Sequence, residues 1–252
     1  MEALKEKFLA GQIILIDKPL TWTSFDVVNK VRWLIKQKAK IKKIKVGHAG
    51  TLDPLATGLL ILCTGKFTKK IEEIQAQEKE YTGIITLGAT TPSYDLEKPI
   101  DKEFPTNHIN EALIKEIAAT FIGEQEQIAP IHSAKKIDGK RAYEYAREGE
   151  EVIIKSNLIN IKKFEVELCD VPTHATNESD NPKINREQPY EKGKYVKFRI
   201  VCSKGTYIRS IARDFGKKLN SGGHLSQLQR TKVGDFKVED AITINELNSL
   251  FD

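Results

Sequence analysis

Apolar positions along the chain follow two periods. Gln12 to Ile16 reads as a buried strand that Lys18-Pro19 ends. Beyond it Val27, Val31 and Leu34, with Val28 and Ile35, recur at helical spacing. Ser24 stands where an N-cap belongs and Asp26 favours a first turn, so the pattern predicts a helix over 24–38. A short strand over 43–47 would lead into the loop 48–57, and Gly58 to Cys63 reads as a second buried strand. Phe67, Ile71 and Ile74 mark a short helix. Tyr81, Ile85 and Leu87 alternate with Thr82, Ile84 and Thr86, the two-residue period of a strand over 80–87. Ile109, Leu113, Ile117 and Phe121 define another helix, closed by Gly123.

The second half is less regular. Residues 124–150 mix short strand signals with an Asp138-Gly139 turn and a small helix from Arg141 to Arg147. Strands are expected over 151–155, 157–169 and 194–203, the last two separated by a polar stretch, Pro172 to Gly193, that carries three prolines. Ile208, Ile211, Ala212, Phe215 and Leu219 line a helix, and Thr243 with Glu246 forms a capping box for a short C-terminal one. Strands and helices are interspersed without regular β-α-β spacing, which predicts an α+β fold with a mixed sheet.

Composition narrows the class. The 252 residues are 40% hydrophobic and 30% charged, which excludes a wholly disordered chain, a collagen and a disulfide miniprotein. No apolar run approaches the roughly 18 residues of a membrane span, and the N-terminus lacks the pattern of a secretory signal, so a cytoplasmic protein is expected. Cys63, Cys169 and Cys202 are widely spaced and read as reduced thiols, and the five histidines show no metal-ligand spacing, so no metal is expected. The net charge of +5 is unevenly placed. Residues 30–48 hold eight Lys or Arg and no acid, and residues 199–218 set Arg199, Lys204, Arg209, Arg213, Lys217 and Lys218 against Asp214 alone. That segregation suits a face that tracks phosphates, although a solvated lysine-rich helix end would give 36–45 the same look.

Three segments could carry chemistry. In GHAGTLDPLATGLL, residues 47–60, three glycines free the backbone while Pro54 biases Asp53 away from helical angles. A carboxylate is thereby presented beside His48, although an ordinary Asp-Pro turn has the same spacing. In VCSKGTYIRS, residues 201–210, a strand delivers Lys204-Gly205 to a helix beginning near Thr206, without the spacing of a nucleotide-triphosphate loop. Arg209 falls in the first helical turn, where the helix dipole disfavours a bare cation, so a carboxylate or phosphate partner is expected. In KEYTGIITLG, residues 79–88, the ring of Tyr81 could stack on a splayed base or serve as ordinary core.

These segments, together with QIAPIHSAKKIDGKRAYEYAREG, resemble in order and separation the bacterial TruB family of tRNA pseudouridine synthases. IDKPLTWTS and HLSQLQRTKVGDF extend the resemblance over about residues 11–236. It implies the pseudouridine synthase fold, α+β with a mixed, mainly antiparallel sheet flanked by helices. It further implies one catalytic domain over 1–252, with a mobile RNA-clamping segment at about 127–149, a polar loop at about 172–193, and no separate C-terminal PUA-like RNA-binding domain. By the same resemblance, the uridine at position 55 of the tRNA T loop is flipped and isomerised without a cofactor. Asp53 would be the catalytic aspartate, Arg209 its candidate cation, and Tyr81 the ring that stacks on the uracil and moves a proton. His48 would prop open the T loop and Lys18 would support the catalytic loop, with Gly50, Thr51, Leu52, Lys204 and Tyr207 as further substrate contacts. The expected partner is the T arm of tRNA, met by a monomer without a membrane or a protein partner. An RNA-binding helper of tRNA folding with incidental catalysis, or a synthase for another RNA uridine, are the alternatives. Thr21, Ala129, His132 and Gln229 depart from the family pattern.

Overall fold

The computed structural model describes residues 2–131, 133, 135–137, 139–148, 150, 152–170 and 190–251. The chain begins with α1 (Glu2–Ala10), β1 (Ile13–Lys18), α2 (Ser24–Lys38), β2 (Val46–His48) and β3 (Ala56–Thr64). A 3-10 turn (Gly65–Lys70) passes into α3 (Ile71–Ala76), followed by β4 (Lys79–Leu87), the short pair β5 (Ala89–Thr90) and β6 (Lys102–Glu103), α4 (Glu111–Ala119) and β7 (Gly123–Gln127). The small strands β8 (Lys136–Ile137) and β9 (Lys140–Arg141) precede α5 (Ala142–Glu148), β10 (Asn157–Cys169), β11 (Lys194–Cys202) and α6 (Ile208–Lys218). Last come β12 (Gly223–Val233), β13 (Phe236–Lys237) and two 3-10 segments, Val238–Asp240 and Ile244–Phe251.

The chain forms two compact units, Met1–Tyr81 with Leu228–Asp252 and Thr82–Gln227, so β4 and β12 each contribute to both. In the first unit β3 lies between β1 and the C-terminal part of β12, with β2 paired to β3 and β13 to β12. The β1, β2 and β13 pairings are antiparallel, whereas β12 runs parallel to β3. Every residue of β3 except Thr57 is buried. One of its faces carries Leu59, Ile61 and Cys63 into a core with Ala49, Ile74 and Val233. The residues between them, Leu60 and Leu62, are buried too, as are the inward residues Ile14 and Ile16 of β1. A strand covered on both faces reads as a continuous apolar run, and that is the run Gly58 to Cys63.

In the second unit the strand order is β12, β4, β11, β10, β7. The antiparallel β10–β11 ladder carries a bulge between Ile161 and Lys163. That extra residue explains why the buried set changes parity along β10, from Ile159 and Ile161 to Phe164 and Val166, while staying on one face. Phe164 and Phe198 meet Phe121 and Phe215 in an aromatic cluster with centroid separations of 5.5 to 6.3 Å.

Several expectations shift. Thr23 rather than Ser24 caps α2, in a box in which its hydroxyl accepts from the Asp26 amide at 3.0 Å and the Asp26 carboxylate accepts from the Thr23 amide at 2.9 Å. Ser24 is the first helical residue and its hydroxyl is engaged elsewhere. The strand expected over 43–47 forms at Val46–His48, where it pairs with β3. Residues 152–156 form no strand, because the β7 ladder on β10 begins only at Asn157, and Ile153 stands 91% exposed. β12 had no apolar alternation to announce it, since its buried positions include His224 and Arg230, each satisfied by a main-chain carbonyl. Of the segment expected to clamp RNA at about 127–149, positions 132, 134, 138 and 149 lie outside the described residues. So does 172–189 of the expected polar loop. Among the described residues no helix is long and apolar enough to cross a membrane.

Phe215 is fully buried and packs against Phe121 and Phe164 of the aromatic cluster. Phe215→Ala is expected to lower the unfolding free energy by about 3 to 5 kcal/mol, read as a lower midpoint with an unchanged slope in urea unfolding.

Candidate active site

The site starts from a close approach of two backbones. Gly58 pairs with Arg230 in the parallel β3–β12 ladder, and a Cβ at Gly58 would lie 2.4 Å from the Arg230 carbonyl oxygen. Its φ of +96° is also in the region that only glycine enters freely. With the strands this close, the Arg230 side chain is 1% exposed and turns under the loop that precedes β3. Its Nε donates to the Leu59 carbonyl at 2.8 Å, Nη2 to Gly50 at 3.1 Å and Nη1 to Thr51 at 3.5 Å.

The same loop is held from the other side by the turn before α2. The buried Ser24 hydroxyl accepts from the Leu52 amide at 2.8 Å and donates to the Leu52 carbonyl at 3.1 Å. The Thr21 amide donates to the Pro54 carbonyl at 2.8 Å, and the Ala56 amide to the Asp53 carbonyl at 3.0 Å. Each residue from 50 to 54 therefore has its main-chain carbonyl bonded, and the half-buried Asp53 side chain projects from a fixed support. Thr21 adopts φ 74°, a conformation that costs a β-branched residue on the order of 1 kcal/mol and that glycine would enter freely. The hydrogen bond from the Thr21 amide to the Pro54 carbonyl is what that conformation delivers.

Two further groups surround the loop. Lys18, at the end of β1, has a fully buried side chain whose Nζ donates to the Pro19 carbonyl at 2.9 Å and the Trp22 carbonyl at 2.7 Å. Burial lowers its pKa from the ordinary 10.5 to about 8, against the opposing pull of the Asp53 charge and with a smaller push from Arg230. His48, on β2, has its pKa pushed down chiefly by burial, opposed by the Gly50 backbone and aided by Arg230, so it is neutral at pH 7. Tyr81 is a buried residue of β4, beside Glu80, whose carboxylate accepts from the Thr231 hydroxyl of β12 at 2.9 Å.

Lys204, Tyr207 and Arg209 belong to the second unit. Tyr207 occupies the N-cap position of α6, where the buried Gln127 side chain accepts from its amide at 2.8 Å and donates to its carbonyl at 3.1 Å. Arg209 is buried in the first turn and lies 3.5 Å from the buried carboxylate of Asp95, with Nη1 also donating to the Ser93 carbonyl at 3.3 Å. The anion that the helix dipole demands near this cation is therefore supplied from within the unit. Lys204 is exposed. Arg213 stacks 5.0 Å from the Tyr94 ring centroid.

The structure thus gathers Lys18, His48, Gly50, Thr51, Leu52 and Asp53 about one loop of the first unit, with Tyr81 on a strand of that unit. Sequence reasoning missed Ser24 as an anchor, Arg230 as the group beneath the loop, and Asp95 as the partner of Arg209. Part of the signal for Asp95 was present, since a cation at a helix start needs an anion, and residues 90–97, TTPSYDLE, carry two, Asp95 and Glu97. Arg230 offered only its place in HLSQLQRTKVGDF.

The basic run 36–45 also takes shape. Arg32, Lys36, Lys42, Lys43 and Lys45 line a cleft of about 560 Å³, and on α2 the Trp33 ring is more than half exposed.

Comparison with known proteins places the fold. A chain of a solved Cbf5–Nop10–Gar1 complex superposes with a TM-score of 0.63 at 25% identity, over 96% of this chain and 55% of that one. A chain of an H/ACA ribonucleoprotein bound to a substrate RNA containing 2′-deoxyuridine has the same fold, with a TM-score of 0.59 at 24% identity. This chain spans about half the length of those two chains. The profile described as TruB family pseudouridylate synthase (N terminal domain) matches residues 36–208, and that of the tRNA pseudouridylate synthase B C-terminal domain matches 209–252. Fold and family profiles together define a pseudouridine synthase. The chain belongs to the TruB family. Among its relatives, the tRNA pseudouridine synthase B of Flavobacterium johnsoniae is 54% identical over 240 residues, covering 95% of both chains. That of Parabacteroides distasonis is 49% identical over 245 residues, covering 97% of this chain and 95% of its own.

The buried lysine makes stability depend on pH. Lys18 gives up its proton near pH 8 when folded and near 10.5 when unfolded, so between those values the unfolded chain binds more protons and stability rises with pH. Relative to Lys18→Met, the wild type is expected to gain about 3 kcal/mol across that window. Urea unfolding at successive pH values measures it, and parallel curves for the two proteins would show that the ammonium is not desolvated.

Proposed function

We propose that this chain isomerises uridine to pseudouridine at position 55 in the T loop of tRNA, through Asp53. The observation that carries the reading is the loop around Asp53, whose main chain is bonded at each residue from 50 to 54 and whose carboxylate acts on the buried Lys18 ammonium. The relatives named tRNA pseudouridine synthase B, matched across nearly their whole length, support tRNA as the substrate.

In the reaction the bond from uracil N1 to ribose C1′ breaks, the base turns, and a bond from C5 to C1′ forms. The proton on C5 leaves while N1 takes one up, so no oxidant or cofactor is consumed. Asp53 acts as the ionised carboxylate, attacking C1′ or removing the ribose 2′ proton. Fixing its support removes the need to order it during the reaction, which is where an enzyme gains most from a rigid loop. Flipping the base costs a few kcal/mol, and contacts made only by the flipped form offset it. Tyr81 stacks on the flipped uracil and relays a proton. His48 is neutral, so its ring can occupy the place of the extruded nucleotide without bringing a charge into the base stack. Gly50, Thr51, Leu52, Lys204 and Tyr207 are further contacts with the substrate, and Arg209 is presented by Asp95. The basic cleft of α2 and the segment 42–47 seats backbone phosphates.

Tritium release from tRNA labelled at uridine C5 tests the chemistry, because only substitution at that carbon frees the label. Asp53→Asn is expected to fold, to bind tRNA within a few-fold of wild type and to release no tritium, since an amide offers neither a nucleophilic carboxylate nor a useful base. Release above about one per cent of the wild-type rate would move the chemistry to another residue. An RNA-folding helper would keep its biological activity in this variant.

The cleft has its own test. Replacing Lys42, Lys43 and Lys45 together by Gln is expected to flatten the dependence of log affinity for tRNA on log salt by about two units, at 0.7 to 0.9 per phosphate contact. An unchanged slope would make the run a solvated surface.

A further inference from the structure

We infer that Arg230 is a positioning residue for the reaction at Asp53: its guanidinium sets where that carboxylate stands by holding the carbonyls of Gly50, Thr51 and Leu59. The inference rests on the function proposed above and adds to it a residue outside the set that the resemblance supplied.

The argument begins with the cost of the group. Arg230 is among the largest fully buried side chains of the described residues, and taking a guanidinium out of water is costly before any bond is made. An apolar side chain of similar volume would fill the space more cheaply. All three hydrogen bonds made by this guanidinium go to main-chain carbonyls, two of them in the loop two and three residues before Asp53 and one on β3 six residues after it. One planar group therefore ties both flanks of the Asp53 segment to a third strand.

The other anchors cannot replace it. Ser24 and Thr21 hold Leu52 and Pro54 from the turn before α2, and neither reaches the Gly50 or Thr51 carbonyl. Without Arg230 the loop would still be held at 49, 52, 53 and 54, but the carbonyls of Gly50 and Thr51 would lose their donors and the chain could rotate there, where Gly50 has φ +105°. Lysine would not substitute, because a single ammonium on a flexible stem cannot present a rigid fork to three carbonyls. Gly58 completes the device, since only the absence of a Cβ there lets the Arg230 backbone lie against β3. The guanidinium charge also adds to the burial that lowers the pKa of Lys18 and of His48, so the same group acts on two neighbours of the loop.

The test compares wild type with Arg230→Lys, which keeps the charge and loses the fork, and with Arg230→Gln, which loses the charge and reaches fewer carbonyls. Three quantities are measured on each folded protein: kcat for tritium release at saturating tRNA, the tRNA Kd, and hydrogen exchange of peptides covering 47–58. The expected result is a fall in kcat of about 10- to 100-fold in both variants, a Kd within about 3-fold, and faster exchange confined to 47–58. A merely structural role would lower the melting temperature while leaving kcat of the folded protein within about 2-fold of wild type, and that result in either variant overturns the inference. Faster exchange throughout the chain with equal losses in kcat and binding overturns it too. Should wild type release no tritium, the proposed function fails on its own. Hydrogen exchange then still decides whether Arg230 holds the loop, and unchanged exchange at 47–58 overturns it.

Discussion

The close parallel approach of β12 to β3 at Gly58 and Arg230 is the constraint on which the rest of the first unit depends. A side chain at position 58 would force the strands apart at a main-chain oxygen, which cannot swing aside as a flexible side chain could. Once the strands are in contact, the arginine side chain must run beneath the neighbouring loop, and its donors find the carbonyls that the loop presents. The conformation of the loop then follows from a few satisfied main-chain groups, and Asp53 is placed as a consequence.

Two buried cations near one carboxylate would be an expensive arrangement if its purpose were stability alone. Lys18 and Arg230 each recover part of that cost by donating to main-chain carbonyls, and those carbonyls belong to the two turns that flank Asp53. The result is a loop whose rigidity comes from charge-assisted bonds to the backbone, with apolar packing behind it in β3. Strain at Thr21 fits the same pattern: an unfavourable backbone angle persists because the amide it orients is bonded to Pro54.

The second unit solves a different problem by similar means. A bulge in β10 keeps two apolar runs on one face, and the aromatic cluster that results packs against the inner side of α6. With α6 held, its first turn presents Arg209, and Asp95 neutralises the conflict between that cation and the helix dipole. Gln127 accepts from the main-chain amide at the helix start, where the Tyr207 side chain makes no capping bond.

Much of this was legible along the chain. The helix 24–38, the buried strand of 58–63, the alternation of 80–87 and the amphipathic α6 are local: each rests on a periodicity that its own residues display, so the neighbouring sequence suffices. The constrained loop that presents Asp53 beside His48 was legible in its glycines and Pro54, although an Asp-Pro turn has the same spacing, whereas Lys18 and the roles of all three came only through the family resemblance. What only the tertiary structure decided involves residues far apart in the chain. The strand β12 has no apolar alternation, because its buried His224 and Arg230 are made acceptable by carbonyls of Ala89 and Leu59, more than a hundred residues away. Ser24 looked like a cap because the bond that occupies it comes from Leu52. A polar residue becomes interior only when its partner arrives, and the partner's position is a property of the folded chain.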